Sequence, residues 1–227
     1  MNKNKSFYTF ALLLAASIIF TSCRNNDDDN GNGNNNPGIG NPTATTDPGV
    51  LIGSIDGEPI RWATRNVAAP GTFAQNATDA GMFFQWNRHT GWSAADPLVS
   101  SPADATWDNT HATGETWVRT NDPCPPGWRV PTRAEFNALI NAGHKWTTQS
   151  GVNGTVFGSG NNTLFLPAAG RRLTNGVFGW VGTDGYFWSS SPSTQATDAM
   201  YLWIQQGISS VRNAHRAVGS SVRCVAE

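Results

Sequence analysis

The sequence predicts an α+β domain: a loop-rich, mainly antiparallel sheet with one or two helices. Three observations carry this. Glycine is abundant, at 24 of 227 residues, and glycine weakens helix interiors. Helix signals concentrate in one short stretch after Pro131. The other apolar residues fall into short runs, each closed by Gly, Pro or Asn, as strands between turns do.

The first residues stand apart from that fold. "MNKNKSFYTFALLLAASIIFTSC" has a positive start at Lys3 and Lys5, an apolar stretch from Phe10 to Phe20, and small residues before Cys23. This is the pattern of a secretory signal, too short for a comfortable membrane span. Its end, "FTSC", resembles a bacterial lipobox, so residues 1–22 are expected to be cleaved and Cys23 to be lipidated. The alternative is an ordinary signal peptide that contains a cysteine. Residues 23–48, rich in Asn, Asp, Gly and Pro, have too little apolar surface to offset the entropy of ordering and are expected to form a tether. The acidic run Asp27–Asp29 is similar to the surface-export signal of Bacteroidota lipoproteins. The expected location is the outer membrane, with display at the cell surface; the alternative for the acidic run is a solvated spacer facing the periplasm.

Residues 49–227 form the expected domain. "GVLIGSIDGEPIRWATRNV" alternates around Asp56-Gly57, a hairpin turn signal. "AGMFFQWNR" is a buried strand or a single helical turn. From Trp92 to Asn121, Pro, Asp, Thr and Ser dominate, so long loops pinned by Trp92, Trp107 and Trp117 are expected. "TRAE" is a capping box, with Thr132 capping and Glu135 reaching back. Phe136, Leu139 and Ile140 continue at helical spacing, and Gly143 ends the helix. Five short strand-like runs follow: "TLFLPAAGRR", "GVFGWVG", "GYFWSSS", "AMYLWIQQGISSVRNA" and "SSVRCVAE".

Charge excludes one class of partner. The domain holds 12 Lys+Arg and 12 Asp+Glu, so it lacks the electrostatic footprint of a nucleic-acid binder. Of those cations 11 are Arg, and all ten Trp lie between Trp62 and Trp203. Both residue types are frequent at binding hot spots, and both also fill cores. The four His are scattered, without a C-x-x-C or H-x-x-x-H spacing, so no metal or other cofactor is expected. No spacing pairs Glu58, Asp108 and Glu115 as catalytic carboxylates. With Cys23 assigned to lipid, Cys124 and Cys224 remain, and in an oxidising envelope they are expected to form a disulfide.

The motifs "IRWATRNV", "GMFFQWNR", "CPPGWRVPTRAEFNAL", "FLPAAGRR" with "GVFG", "GYFWSSS" and "SSVRCV", in this order, resemble the Fibrobacter succinogenes major paralogous domain family. The resemblance implies a C-type lectin-like superfold, shared with sulfatase-modifying factors and with the variable proteins of diversity-generating retroelements. It also places both domain cysteines at structural positions of the family. Calcium-dependent sugar lectins carry Glu-Pro-Asn or Gln-Pro-Asp loops, which this sequence lacks.

The last hairpin suggests a site. In "MYLWIQQGISSVRN", Met200, Leu202 and Ile204 alternate with Tyr201, Trp203 and Gln205, and successive strand residues point to opposite faces. With the aliphatics inward, Tyr201, Trp203, Gln205, Ser210 and Arg212 face outward, with Asn213 and His215 nearby. These seven are the expected ligand-binding residues; the alternative is that the Trp92–Asn121 loop covers Tyr201 and Trp203. Trp62, Trp128, Trp180 and Trp188 are assigned to the core. The expected function is a surface-anchored, non-enzymatic binding or adhesion module for a glycan or protein. Its alternatives are a structural envelope or pilus-associated component, and an enzyme in the sulfatase-modifying style.

Overall fold

The computed structural model describes residues 45–227; the signal segment, Cys23 and the Asp27–Asp29 run lie outside the described residues. Asp56 and Gly57 both take left-handed backbone, with φ of 53° and 86°, matching the twist that a two-residue hairpin requires. They join β1 (Val50–Ile55) to β2 (Glu58–Trp62). The "MFFQ" run forms β3 (Met82–Gln85), buried at every position. The following loops contain only β4 (Gly91–Ser93), β5 (Ser100–Ser101) and a 3-10 turn (Arg119–Asn121). Trp92 and Trp117 are buried within them, and Trp107 lies 5.1 Å from Trp92, ring centre to ring centre.

β6 (Trp128–Arg129) leads into α1 (Arg133–Asn141), the one α-helix among the described residues. Its capping box is complete: the Glu135 amide donates to Thr132 Oγ1, and the Thr132 amide donates to Glu135 Oε2 at 2.6 Å. Phe136 and Leu139 are fully buried. Gly143, at φ 90°, turns the chain away. The antiparallel meander β7 (His144–Gln149), β8 (Val152–Ser159) and β9 (Asn162–Pro167) comes next. Sequence patterning gives no sign of β7, because it is exposed or half-buried along its whole length and so has no apolar face.

Then come β10 (Arg171–Arg172), β11 (Phe178–Gly179), β12 (Asp184–Pro192), β13 (Asp198–Gln205), β14 (Ile208–His215), β15 (Gly219–Ser220) and β16 (Val225–Ala226). Four sheets result among the described residues, ordered β1-β2-β16-β6, β11-β10-β15-β3-β4-β5, β12-β13-β14 and β7-β8-β9. Their strand pairs are antiparallel throughout. The architecture is thus α+β and loop-rich.

The β12-β13-β14 sheet is packed over one side and over part of the other. Phe187, Leu202 and Ile204 pack beneath α1 with Trp62, Phe136 and Leu139. The other face sends Tyr186, Trp188 and Tyr201 into a second cluster with Trp86, Trp117, Phe84, Cys124 and Cys224. The two cysteines are bonded, with Cα atoms 6.1 Å apart across 100 residues of chain.

The arginines explain why lysine is nearly absent. Arg172, Arg216 and Arg223 are all buried, and each uses its planar fork to hold loop carbonyls. Arg172 donates to Ser93 O and Gly176 O, and Arg216 to Ala112 O, Gly114 O and Asp198 O. Arg223 reaches Asn66 Oδ1 and Ala63 O. One rigid guanidinium can satisfy several such groups at once, which a flexible ammonium does less well.

The expected tether gives up its last residues to the domain. Asp47, placed in the 23–48 segment by composition, has no exposed side-chain surface and pairs with Arg65 at 3.0 Å. Its carboxylate also accepts from the Gly49 and Thr64 amides and from Thr64 Oγ1. Burial alone would raise its pKa, but these donors together hold it below the ordinary carboxylate value.

Candidate functional site

Register decides which side chains of the last hairpin share a face. Tyr201 stands opposite Arg212, Trp203 opposite Ser210 and Gln205 opposite Ile208. On the other flank Trp188, Tyr186 and Asp184 stand opposite Tyr201, Trp203 and Gln205. Because directly opposed residues lie on the same side of a sheet, Tyr201, Trp203, Gln205, Ser210 and Arg212 form one face.

Asn213 and His215 do not join it. They stand opposite Met200 and Asp198 on the reverse side. Asn213 Nδ2 donates to Asp198 Oδ2 at 2.8 Å, and the His215 ring meets His111 edge to face at 5.8 Å. The reason is the two-residue strand period: 213 and 215 are out of phase with 210 and 212. Tyr201 is on the expected face but is not exposed. Tyr186 and Trp188 lie against it, with ring centres 5.7 and 6.0 Å away, and its accessibility is 7%. Trp203 is half-buried.

Asp184, Tyr186, Arg171 and Trp180 complete the face, and all four lie outside the hairpin that patterning reads. The Arg212 guanidinium lies 3.8 Å from the centre of the Trp203 ring. Trp203 Nε1 donates to Asp184 Oδ1 at 2.7 Å. Thr183 Oγ1 donates to the other carboxylate oxygen, also at 2.7 Å, and Tyr186 OH donates to Oδ1 at 3.4 Å. Arg171 covers Tyr186 at 4.3 Å and reaches Trp180 at 5.2 Å. Burial pushes the Tyr186 phenol up to about 12, and it raises Tyr201 as well, against the pull of Arg171 and Arg212. Both rings therefore stay neutral around pH 7.

Trp180 departs from its expected core position. It is 43% exposed and has left-handed backbone, with φ of 65°. The β10–β11 pairing, Arg171 opposite Gly179, brings it to Arg171. In the sequence the two are nine positions apart, with nothing to show that they meet. Neither Arg171 nor Arg212 has a carboxylate partner among the described residues.

The Cys124–Cys224 bond leaves no free thiol at either position. No cluster of three or more His, Cys, Asp or Glu is poised for a metal ion among the described residues.

The Fibrobacter succinogenes major domain family model matches residues 50–226. The chain belongs to this family. No curated protein and no solved structure matches it. Within this Fibrobacter succinogenes major domain, the motifs fall on the frame of the face: "GRR" supplies Arg171, "GYFW" supplies Tyr186 and Trp188, and "VRC" supplies the C-terminal half of the disulfide.

Proposed function

We propose that the protein is a surface-anchored lipoprotein whose Fibrobacter succinogenes major domain, of C-type lectin-like fold, is a non-enzymatic ligand-binding or adhesion module. The observation that carries this reading is the half-open face of Trp203, Arg212, Tyr186, Arg171 and Trp180, where guanidinium groups lie on aromatic rings without carboxylate partners. Such a face combines apolar area with fixed hydrogen-bond donors, the composition of a binding hot spot. Joining Cys124 to Cys224 also supports it, since neither sulfur can then serve the thiol chemistry of a sulfatase-modifying enzyme.

The face is braced by the buried Tyr201 beside it and by the Asp184 hydrogen bonds, so little ordering is required on binding. Glycan and protein arrays probed with the purified protein and with Trp203→Ala test the reading. Binding to a defined ligand, weakened in the variant by roughly 1–3 kcal/mol, is expected. Silence of the parent protein across both arrays overturns it.

A further inference from the structure

Among the described residues the three most exposed large apolar side chains are Val181 (57%), Val177 (55%) and Trp180 (43%). They flank β11, Val177 before it and Trp180 and Val181 in the loop after it, and Trp180 stands at the rim of the aromatic and guanidinium face. Trp180 is disfavoured twice. A left-handed backbone suits glycine and penalises any residue with a Cβ, most of all a bulky one. Its ring also fails to reach the core. Strain that the surroundings enforce, on a ring left 43% exposed, points to a role outside the fold.

The loop is held in that conformation. The Thr183 and Asp184 amides both donate to Trp180 O, and the Gly182 amide donates to Ala168 O at 2.8 Å. The Trp180 ring is propped on Arg171 and against the edge of Tyr186, 6.5 Å between ring centres.

The chemistry around it selects among ligands. Arg171 Nε is buried without a hydrogen-bond partner, and Arg212 bonds only to Ser210 Oγ among the described residues. The nearby carboxylate, Asp184, is already engaged by Trp203, Tyr186 and Thr183. Two cations thus stand unneutralised on aromatic rings of this face, Arg171 on Tyr186 and Trp180 and Arg212 on Trp203. Val181, next to Trp180 in the chain, and the exposed Val177 before β11 offer a sugar hydroxyl no hydrogen bond. Tryptophan and arginine beside exposed aliphatics form instead the core of a protein–protein contact.

We propose that the Trp180 loop, with Arg171 and Arg212, docks a protein segment that presents an apolar side chain to Trp180 and carboxylates to the two arginines. This rests on the binding-face reading above and names its partner class. The test is calorimetric titration of the purified full-length protein with a random copolymer of glutamate and tyrosine, with polyglutamate, and with polygalacturonate. The copolymer is expected to bind most tightly, and added salt should weaken it. Trp180→Gly should lower that affinity about tenfold or more while leaving the melting temperature unchanged or raised, because the strain is relieved. Arg171→Gln and Arg212→Gln should each lower affinity and flatten the salt dependence. Failure of the copolymer to bind, or equal binding by Trp180→Gly, overturns the proposal. Equal or tighter binding of polygalacturonate through the same residues also overturns it, yet leaves the binding-face reading standing.

Discussion

Asp184 is buried, and the groups that meet its carboxylate are neutral donors: the Trp203 indole, the Tyr186 phenol and the Thr183 hydroxyl. That arrangement makes the Trp203 N–H a structural requirement as well as part of the face. Trp203→Phe keeps an aromatic ring beneath Arg212 but removes the donor. It should destabilise the domain by about 1–3 kcal/mol, the cost of leaving a buried acceptor short of a partner, read as a shift in the urea midpoint. A midpoint equal to the parent's would show that water or Tyr186 replaces the indole. Residue patterning could find Trp203 and Arg212 because both lie on one hairpin with a two-residue period. It could not find Arg171, Trp180 and Asp184, since long-range pairing brings them there. Nor could it tell that Tyr201, on the right face, lies under other rings.

At the scale of the element, α1 is the most legible part of the chain, because its start is written locally in Thr132 and Glu135. Glu135 also takes a two-pronged bond from Arg129, at 2.6 and 3.0 Å. Burial works to raise its pKa, but the Arg129 and Thr132 donors outweigh it and leave the carboxyl below its ordinary value of 4.5. A carboxyl lowered on folding stabilises the fold above that value, and this contribution is lost as pH falls through the lower, folded value. Asp47 acts in the same direction, whereas Asp122, raised chiefly by burial, acts in the opposite one. The urea midpoint should therefore decline more steeply below about pH 4.5 in the parent than in Glu135→Gln. Thr132→Ala should cost about 0.5–2 kcal/mol at neutral pH, seen in the same titration. The β7 strand was illegible for the converse reason. It is held by its pairing with β8, residue for residue from His144–Phe157 to Gln149–Val152, and pairing leaves no mark on composition.

At the scale of the whole molecule, the Cys124–Cys224 bridge ties the segment before α1 to the strand that closes the β1-β2-β16-β6 sheet. It was legible by elimination, since the expected compartment and the cysteine count left these two, while the packing of tryptophans around it was not. Replacing both cysteines by alanine should lower stability by up to about 4–5 kcal/mol on the chain-entropy account of a loop this long. Hydrogen exchange should quicken first at Val130 and Val225, and uniform protection across the double variant would show that the aromatic cluster alone closes the fold. Asp47 has a consequence of a different kind. A pull applied from the N-terminal side does not reach the first hairpin directly. It meets Asp47 first, clasped to Thr64 and Arg65 beyond the end of β2, so the load bypasses the β1 ladder and enters the chain one strand later. In a single-molecule extension trace the parent should hold to a higher force before its first rupture than Asp47→Asn, in which β1 would peel from β2 one pair at a time.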